Sequence, residues 1–423
     1  MQMKDSSNKD FLLKESKNFC MLPWVHLHLW PDGKAFPCCV ANGSMPVGTL
    51  KHKNLTQIWN ESGLRKIRTQ MLNDQPSKEC RRCYYLESVN AGPSHRQNAN
   101  QRFAKHWSQV QSTQENGFVP KVMMAELDIR FSNLCNFRCL SCGPHLSSAW
   151  YEEAQAIGLH DSPKKILDLL EGPSGEKFWK ELELQLLKVD HATFAGGEPL
   201  LCETHFRIMD FWIAQQKLDV EIYFISNFSE LNFRGRHVFE YWRQFPQTTV
   251  AASLDDSGLR AEYLRKGTQW SKIVLNRKRM LKEVPNIAFE ITPTISLCNV
   301  EHFLEFHWEW IEEGLIDPNA IKLNLLSYPE WMNLRILEES KRLKIAEKYR
   351  LALQRIKHQC EKLSLAYDRC EAAYLSVIQV LEMKALPAEQ RTLQVQRFKK
   401  RINELDQLRS DNFAQTFPEL IDL

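Results

Sequence analysis

The chain has 423 residues, room for about two or three domains. Its 43% hydrophobic and 25% charged residues are ordinary for a soluble globular protein, and a net charge of +3 argues against a protein built to coat a polyanion, while leaving room for a local nucleic-acid patch. No stretch is apolar for long enough to span a bilayer, and the first twenty residues lack the apolar core and cleavage site of a signal peptide. The twelve cysteines are therefore expected in a reducing cytoplasm, where clustered thiols favour metals over disulfides.

The first segment reads as a hairpin followed by helices. "WVHLHLW" (24–30) alternates in period 2, "PDG" supplies a turn and "KAFPC" returns. A hairpin brings its ends together, so Cys20 and Cys38 are expected to be neighbours. "LTQIWNESGLRKIRTQMLN" (55–73) reads as helical and leads to "CRRC" at 80–83. The polar residues 88–120 read as a linker with a short helix.

From residue 121 the pattern becomes alternating strands and helices. Strand-like runs are "MMAELDIRF", "VDHATFAG", "VEIYFISN", "TTVAASLD", "NIAFEITPT" and "AIKLNLL". Helical runs such as "ETHFRIMDFWIAQQK" and "VEHFLEFHWEWIEEG" separate them. This order predicts an α/β fold with a mainly parallel sheet, whose ligands gather at the carboxyl ends of the strands. From 332 to Pro387 the composition predicts a long helix or helical hairpin, with a further helix over 388–409.

"FSNLCNFRCLSCG" (131–143) places Cys135, Cys139 and Cys142 after the first of these strands. Two readings stand on the residues alone. One is a zinc site completed by Cys202 or His145, since zinc takes four sulfur or nitrogen ligands. The other is a [4Fe–4S] cluster with one iron left open.

This stretch resembles the radical SAM (S-adenosylmethionine) family motif Cys-x3-Cys-x-aromatic-Cys. Ser141 departs from it, standing where many members carry an aromatic residue beside the adenine. "FAGGEPL" (194–200) resembles the family's glycine-rich strand end, which implies that Gly196, Gly197, Glu198 and Pro199 meet the methionine part of SAM. "YFISNFS" and "ASLDDSG" resemble the third- and fourth-strand ends. They imply Asn227 as a cofactor-binding residue, and Ser253 and Asp255 near the SAM amino group and ribose. In "EYLRKG", Arg265 matches a residue that holds the SAM carboxylate. On the residues alone Asn227 reads as an Asx turn, Asp255 as a cap or turn and Arg265 as an exposed helix residue.

The N-terminal run "FCMLPWVHLHLWPDGKAFPCC" with "CRRC" resembles the auxiliary-cluster module of the SPASM/Twitch branch, here placed before the barrel. The resemblance implies one auxiliary [4Fe–4S] cluster on Cys20, Cys38, Cys80 and Cys83, with Cys39 as an alternate; a structural zinc on the same residues is the rival. One such cluster points to Twitch, since a full SPASM module needs about twice as many cysteines. Cys202, Cys298, Cys360 and Cys370 form no compact pattern. His26 and His28 share one side of the expected strand, as a metal pair or as supporting residues. Trp24 and Trp30 read as cluster cover or as packing.

The resemblance implies a partial (β/α)6 radical SAM barrel over 121–331, an N-terminal auxiliary iron–sulfur module over 1–87, a linker over 88–120, and a C-terminal helical extension and tail over 332–423. It implies a radical SAM oxidoreductase that makes a 5′-deoxyadenosyl radical for hydrogen abstraction, with an electron donor such as a flavodoxin or ferredoxin. A peptide is the leading substrate, altered by oxidation, cross-linking or epimerisation. A small metabolite is the alternative, and a zinc-stabilised binding protein without catalysis the rival of another class. No basic stripe with interleaved aromatics points to nucleic acid.

Overall fold

The computed structural model describes residues 6–88, 94–159 and 165–423. Part of the expected linker, 89–93, lies outside the described residues. The chain divides into two compact units: Met1–Leu134, Ile166–Tyr223 and Gln244–Gln247 form the first, and Cys135–Lys165, Phe224–Arg243 and Thr248–Leu423 the second. The boundary falls inside the expected barrel segment, within the strand Glu221–Ser226.

In the first unit, His28–Leu29 pairs antiparallel with Lys34–Phe36, which pairs in turn with Gly48–Thr49. The expected strand at 24–30 is shorter than its alternation implies. Leu22–Val25 forms a helical turn with Pro23 in its first positions, where the absent N–H leaves nothing unbonded. The helices Leu55–Trp59 and Ser62–Leu72 follow, the first closed by a capping box between Asn54 and Gln57. Arg68 is fully buried, donating from Nε to Pro23 O at 2.8 Å. The stretch read as a linker carries the helices His95–Phe103 and Trp107–Gln111, with Phe103, Trp107 and Val110 buried.

Glu126–Leu127 runs parallel to His191–Phe194, with Glu126 opposite His191. The helices Gly172–Leu186 and Glu203–Ala214 accompany these strands. Trp212 is buried and donates its indole N–H to Leu186 O at 2.9 Å, so each helix turns an apolar stripe inward.

In the second unit, Thr248–Ala252 runs parallel to Ala288–Ile291, and Thr294–Ile295 runs parallel to Asn324–Leu325. A helix lies between the parallel strands of each unit, Gly172–Leu186 in the first and Trp270–Glu283 in the second, the strand–helix repeat of the partial (β/α) barrel expected. Trp310 stands 5.5 Å from Trp270 between ring centroids, so the Trp-rich 305–314 segment packs helix against helix. The C-terminal residues form a helical hairpin, Glu339–Leu363 and Asp368–Glu382, followed by Ala388–Arg409. Tyr349 and Tyr374 meet across the hairpin at 5.1 Å.

Candidate metal and cofactor sites

The three-cysteine loop belongs to the second unit, where a short antiparallel pair shapes it. Cys139 stands opposite Arg265 and Arg138 opposite Lys266. That register brings Arg265 Nη1 within 3.7 Å of Cys139 Sγ. The same guanidinium grips Asp255, with Nε on Oδ2 and Nη2 on Oδ1, both at 2.8 Å. Oδ1 also accepts from the Thr294 backbone N–H at 2.8 Å. Asp255 and Arg265, read separately from sequence, thus form one ion pair against the central cysteine, Asp255 buried and Arg265 half-buried. Burial raises the Cys139 thiol pKa while the Arg265 charge draws it down, and burial pushes Cys142 up to about 12. The Phe137 backbone N–H approaches Cys135 Sγ at 3.5 Å.

Asn136, which sequence reasoning passed over, anchors this loop. Its Oδ1 accepts from Asn227 Nδ2 at 2.8 Å, and its Nδ2 donates to Ser229 Oγ at 2.9 Å. Asn227 also accepts from the Ser229 backbone N–H at 3.0 Å. Asn227 therefore makes its Asx turn and tethers the cysteine loop as well. Ser253 is half-buried, with its backbone N–H on Ser226 O at 2.7 Å. A small cleft of about 10 Å³, room for one water, is lined by Ser141, Asp255, Thr294 and Ser296 with Leu264 and Met332. The residue that departs from the aromatic motif thus shares a cleft with the residue expected near the ribose.

The glycine-rich turn belongs to the first unit. Gly197 has φ +54°, and a Cβ there would lie 2.2 Å from Leu134 O. The next backbone N–H, of Glu198, donates to that carbonyl at 2.8 Å. Only glycine allows this approach of turn to strand end. Glu198 Oε1 caps the following turn through the Leu200 N–H at 3.0 Å, and Pro199 O contacts His205 Nδ1 at 3.1 Å.

Also in the first unit, Cys20, Cys38 and Cys83 are buried and Cys80 is half-buried. Burial raises the pKa of all four thiols, Cys80 to about 12, and each of Cys20 and Cys38 feels both Cys80 and Cys83. The four thiols lie near enough to feel one another's charge, but they are not among the described residues whose donor atoms gather within 4.8 Å. Buried thiols are costly to ionise alone, and a metal centre replaces their protons. Arg96 completes the surroundings. Its side chain donates to Ser16 O at 3.0 Å, to Phe19 O at 2.6 Å and to Glu87 at 2.5 and 2.9 Å, and its backbone N–H bonds Cys83. No sequence signal marked it, because it stands in the polar run read as linker. The donor set and the nearby positive charge fit an anionic iron–sulfur cluster.

Cys39 is exposed, with its Sγ 3.9 Å from His95 Nε2. Cys202, Cys298, Cys360 and Cys370 are buried. Trp24 packs on Phe19 at 5.4 Å and donates its N–H to Thr113.

Among the described residues, one group of three potential ligands has its donor atoms all within 4.8 Å: His26, His28 and Asp128. Neighbours use most of their donor atoms, while Asp128 Oδ1 is buried without a hydrogen-bond partner. His26 Nδ1 meets Glu126 O at 3.1 Å, His28 Nδ1 meets Asp128 O at 2.8 Å, and Trp30 donates to His28 Nε2. Arg130 approaches Asp128 at 3.2 Å. This is a buried polar network supporting the hairpin.

Residues 20–84 match the family model SPASM, an iron-sulfur cluster-binding domain. The likeness is confined to that N-terminal segment. The match opens on Cys20 and closes one residue past Cys83. No curated protein matches the chain. Among solved structures, native anSMEcpe with bound AdoMet and Kp18Cys peptide is 16% identical, covers 55% of this chain and 61% of its own, and has a TM-score of 0.38. SuiB of Streptococcus suis bound to S-adenosylmethionine is 14% identical, covers 64% and 65%, and has a TM-score of 0.28. The chain thus spans about three-fifths of the first structures it matches. No helix among the described residues is long and apolar enough to cross a membrane.

Proposed function

We propose that this chain is a radical S-adenosylmethionine enzyme that modifies a peptide. The observation that carries the reading is the Cys135–Cys142 loop, whose central cysteine is paired to the Asp255–Arg265 couple. Cys135, Cys139 and Cys142 would hold a [4Fe–4S] cluster, and Cys20, Cys38, Cys80 and Cys83 an auxiliary one. With SAM bound, a cluster held by the first set would pass on one electron from a reduced donor, the chemistry that cleaves the sulfur–C5′ bond and allows hydrogen abstraction from the substrate.

The chain's own residues prepare that chemistry. Three cysteines leave one coordination position to a small molecule. Arg265 is a fixed cation beside Cys139, and Asp255 holds its fork in one orientation. Asp255, lining the cleft with Ser141, presents a carboxylate suited to the amino group or ribose hydroxyls of SAM. Gly196 and Gly197 let their turn close onto Arg130 and Leu134, shaping the strand end where the resemblance places the methionine part of SAM. The peptide reading rests on the SPASM match; anSMEcpe, solved with a peptide, offers a parallel.

The test is anaerobic reconstitution followed by reduction with dithionite in the presence of SAM. Release of 5′-deoxyadenosine is expected, and its loss in Cys135→Ala, Cys139→Ala and Cys142→Ala. Unchanged release in those three variants would remove the assignment.

A further inference from the structure

The last turn of the helix Ala388–Arg409 places a buried arginine against the three-cysteine loop. The Arg409 side chain is 1% exposed. Its Nη2 donates to Arg138 O at 2.9 Å and to Glu153 Oε2 at 2.7 Å, while Nε meets both Glu153 oxygens at 3.1 and 3.2 Å. The guanidinium also lies 5.0 Å from the Trp150 ring centroid. Trp150 in turn donates its indole N–H to Cys139 O at 2.9 Å. Two consecutive carbonyls, of Arg138 and Cys139, are thereby held by one assembly.

The paired strand is fastened from the same helix end. Tyr263 Oη donates to Asp406 at 2.6 Å, and Lys266 pairs with Asp411. Arg138 also donates to Glu153 at 2.8 Å, so one carboxylate faces two guanidiniums and a positive charge is left over. Arg409 Nη1 is buried with no hydrogen-bond partner. A buried cation and an unspent N–H are costly unless something anionic balances them.

We infer that Arg409 is a positioning residue of the three-cysteine loop, fixing its backbone and setting a buried positive charge beside the anionic group those cysteines would hold. This rests on the reading of Cys135, Cys139 and Cys142 as iron–sulfur ligands. One-electron reduction makes such a cluster more negative, so a nearby cation favours the reduced form and a nearby carboxylate opposes it. The C-terminal helix is then a working part of the site.

The test is a redox titration of the full chain, reconstituted anaerobically and followed by electron paramagnetic resonance, reading the signal that added SAM perturbs. Arg409→Met should move its midpoint to more negative potential, Glu153→Gln to more positive, and Arg409→Lys should stay near wild type. At the wild-type midpoint the ratio of reduced to oxidised cluster should fall several-fold in the first and rise several-fold in the second. The signal that SAM leaves alone should not move. A purely scaffolding role would lose iron without opposite shifts, and equal midpoints in all three variants would overturn the inference. If Arg409→Met does not fold, Glu153→Gln decides alone. A wild-type protein with no SAM-sensitive signal would instead remove the reading beneath the inference.

Discussion

Asp255→Asn is the sharpest probe of how the second unit holds its cysteine loop. The substitution keeps the shape but removes the charge and turns one acceptor into an NH2 group facing the Arg265 fork. Arg265 loses a partner held by two contacts of 2.8 Å while its side chain is only 13% exposed. Removing one member of such a pair strands the other charge, at a cost of about 3–5 kcal/mol. The Thr294 N–H keeps an acceptor if the amide oxygen takes the Oδ1 position, so that contact adds little. Urea unfolding of the metal-free chain, followed by circular dichroism, should show the whole loss. Asp255→Asn with Arg265→Met should recover most of it, because no charge is left uncompensated. A loss below about 1 kcal/mol in the single variant, the size of a surface pair, would refute the ion pair as described.

Gly197→Ala should destabilise by at least about 3 kcal/mol, combining left-handed backbone strain with a Cβ driven onto Leu134 O. Gly143→Ala, where a Cβ meets nothing within 4 Å, should change unfolding by less than about 0.5 kcal/mol. Asp256 is raised to about 7, chiefly by burial, with Oδ2 unpartnered. Its folded form keeps a proton that the unfolded chain gives up near pH 4, so this residue lowers stability progressively as pH rises from about 4 to about 7. Asp256→Asn should gain on wild type across that window and hold its advantage above it; a gain independent of pH would contradict the assignment. Cys80→Ser should lower bound iron by about half, one cluster of two, while some 5′-deoxyadenosine is still released; unchanged iron content would exclude Cys80 as a ligand.

The parts of the molecule that depend on local order were legible in the chain. Strand-like runs such as "VEIYFISN" became the strand Glu221–Ser226 because alternation and β-branching act within a few residues. The hairpin's return to Cys38 followed from the turn at Gly33, where φ is +84°. "WVHLHLW" failed as one strand because Pro23 starts a helical turn that alternation does not register. Asp255 and Arg265 were singled out separately, yet their mutual grip depends on a register that spacing does not disclose. Arg96 and Arg409 were invisible for a different reason. Each stands in a charged or polar run that reads as solvated surface, and Arg409 meets Glu153 256 residues away. Composition predicts the helix, while burial of a single charge is decided by the tertiary fold.

The central claim is that Cys135, Cys139 and Cys142 hold a cluster with one iron open to SAM. The direct measurement is electron paramagnetic resonance of the reduced, reconstituted Cys80→Ser/Cys83→Ser variant, before and after SAM is added. The account predicts a signal from the remaining cluster that shifts when SAM binds. A signal untouched by saturating SAM, or a protein that takes up zinc there and no iron, would contradict it.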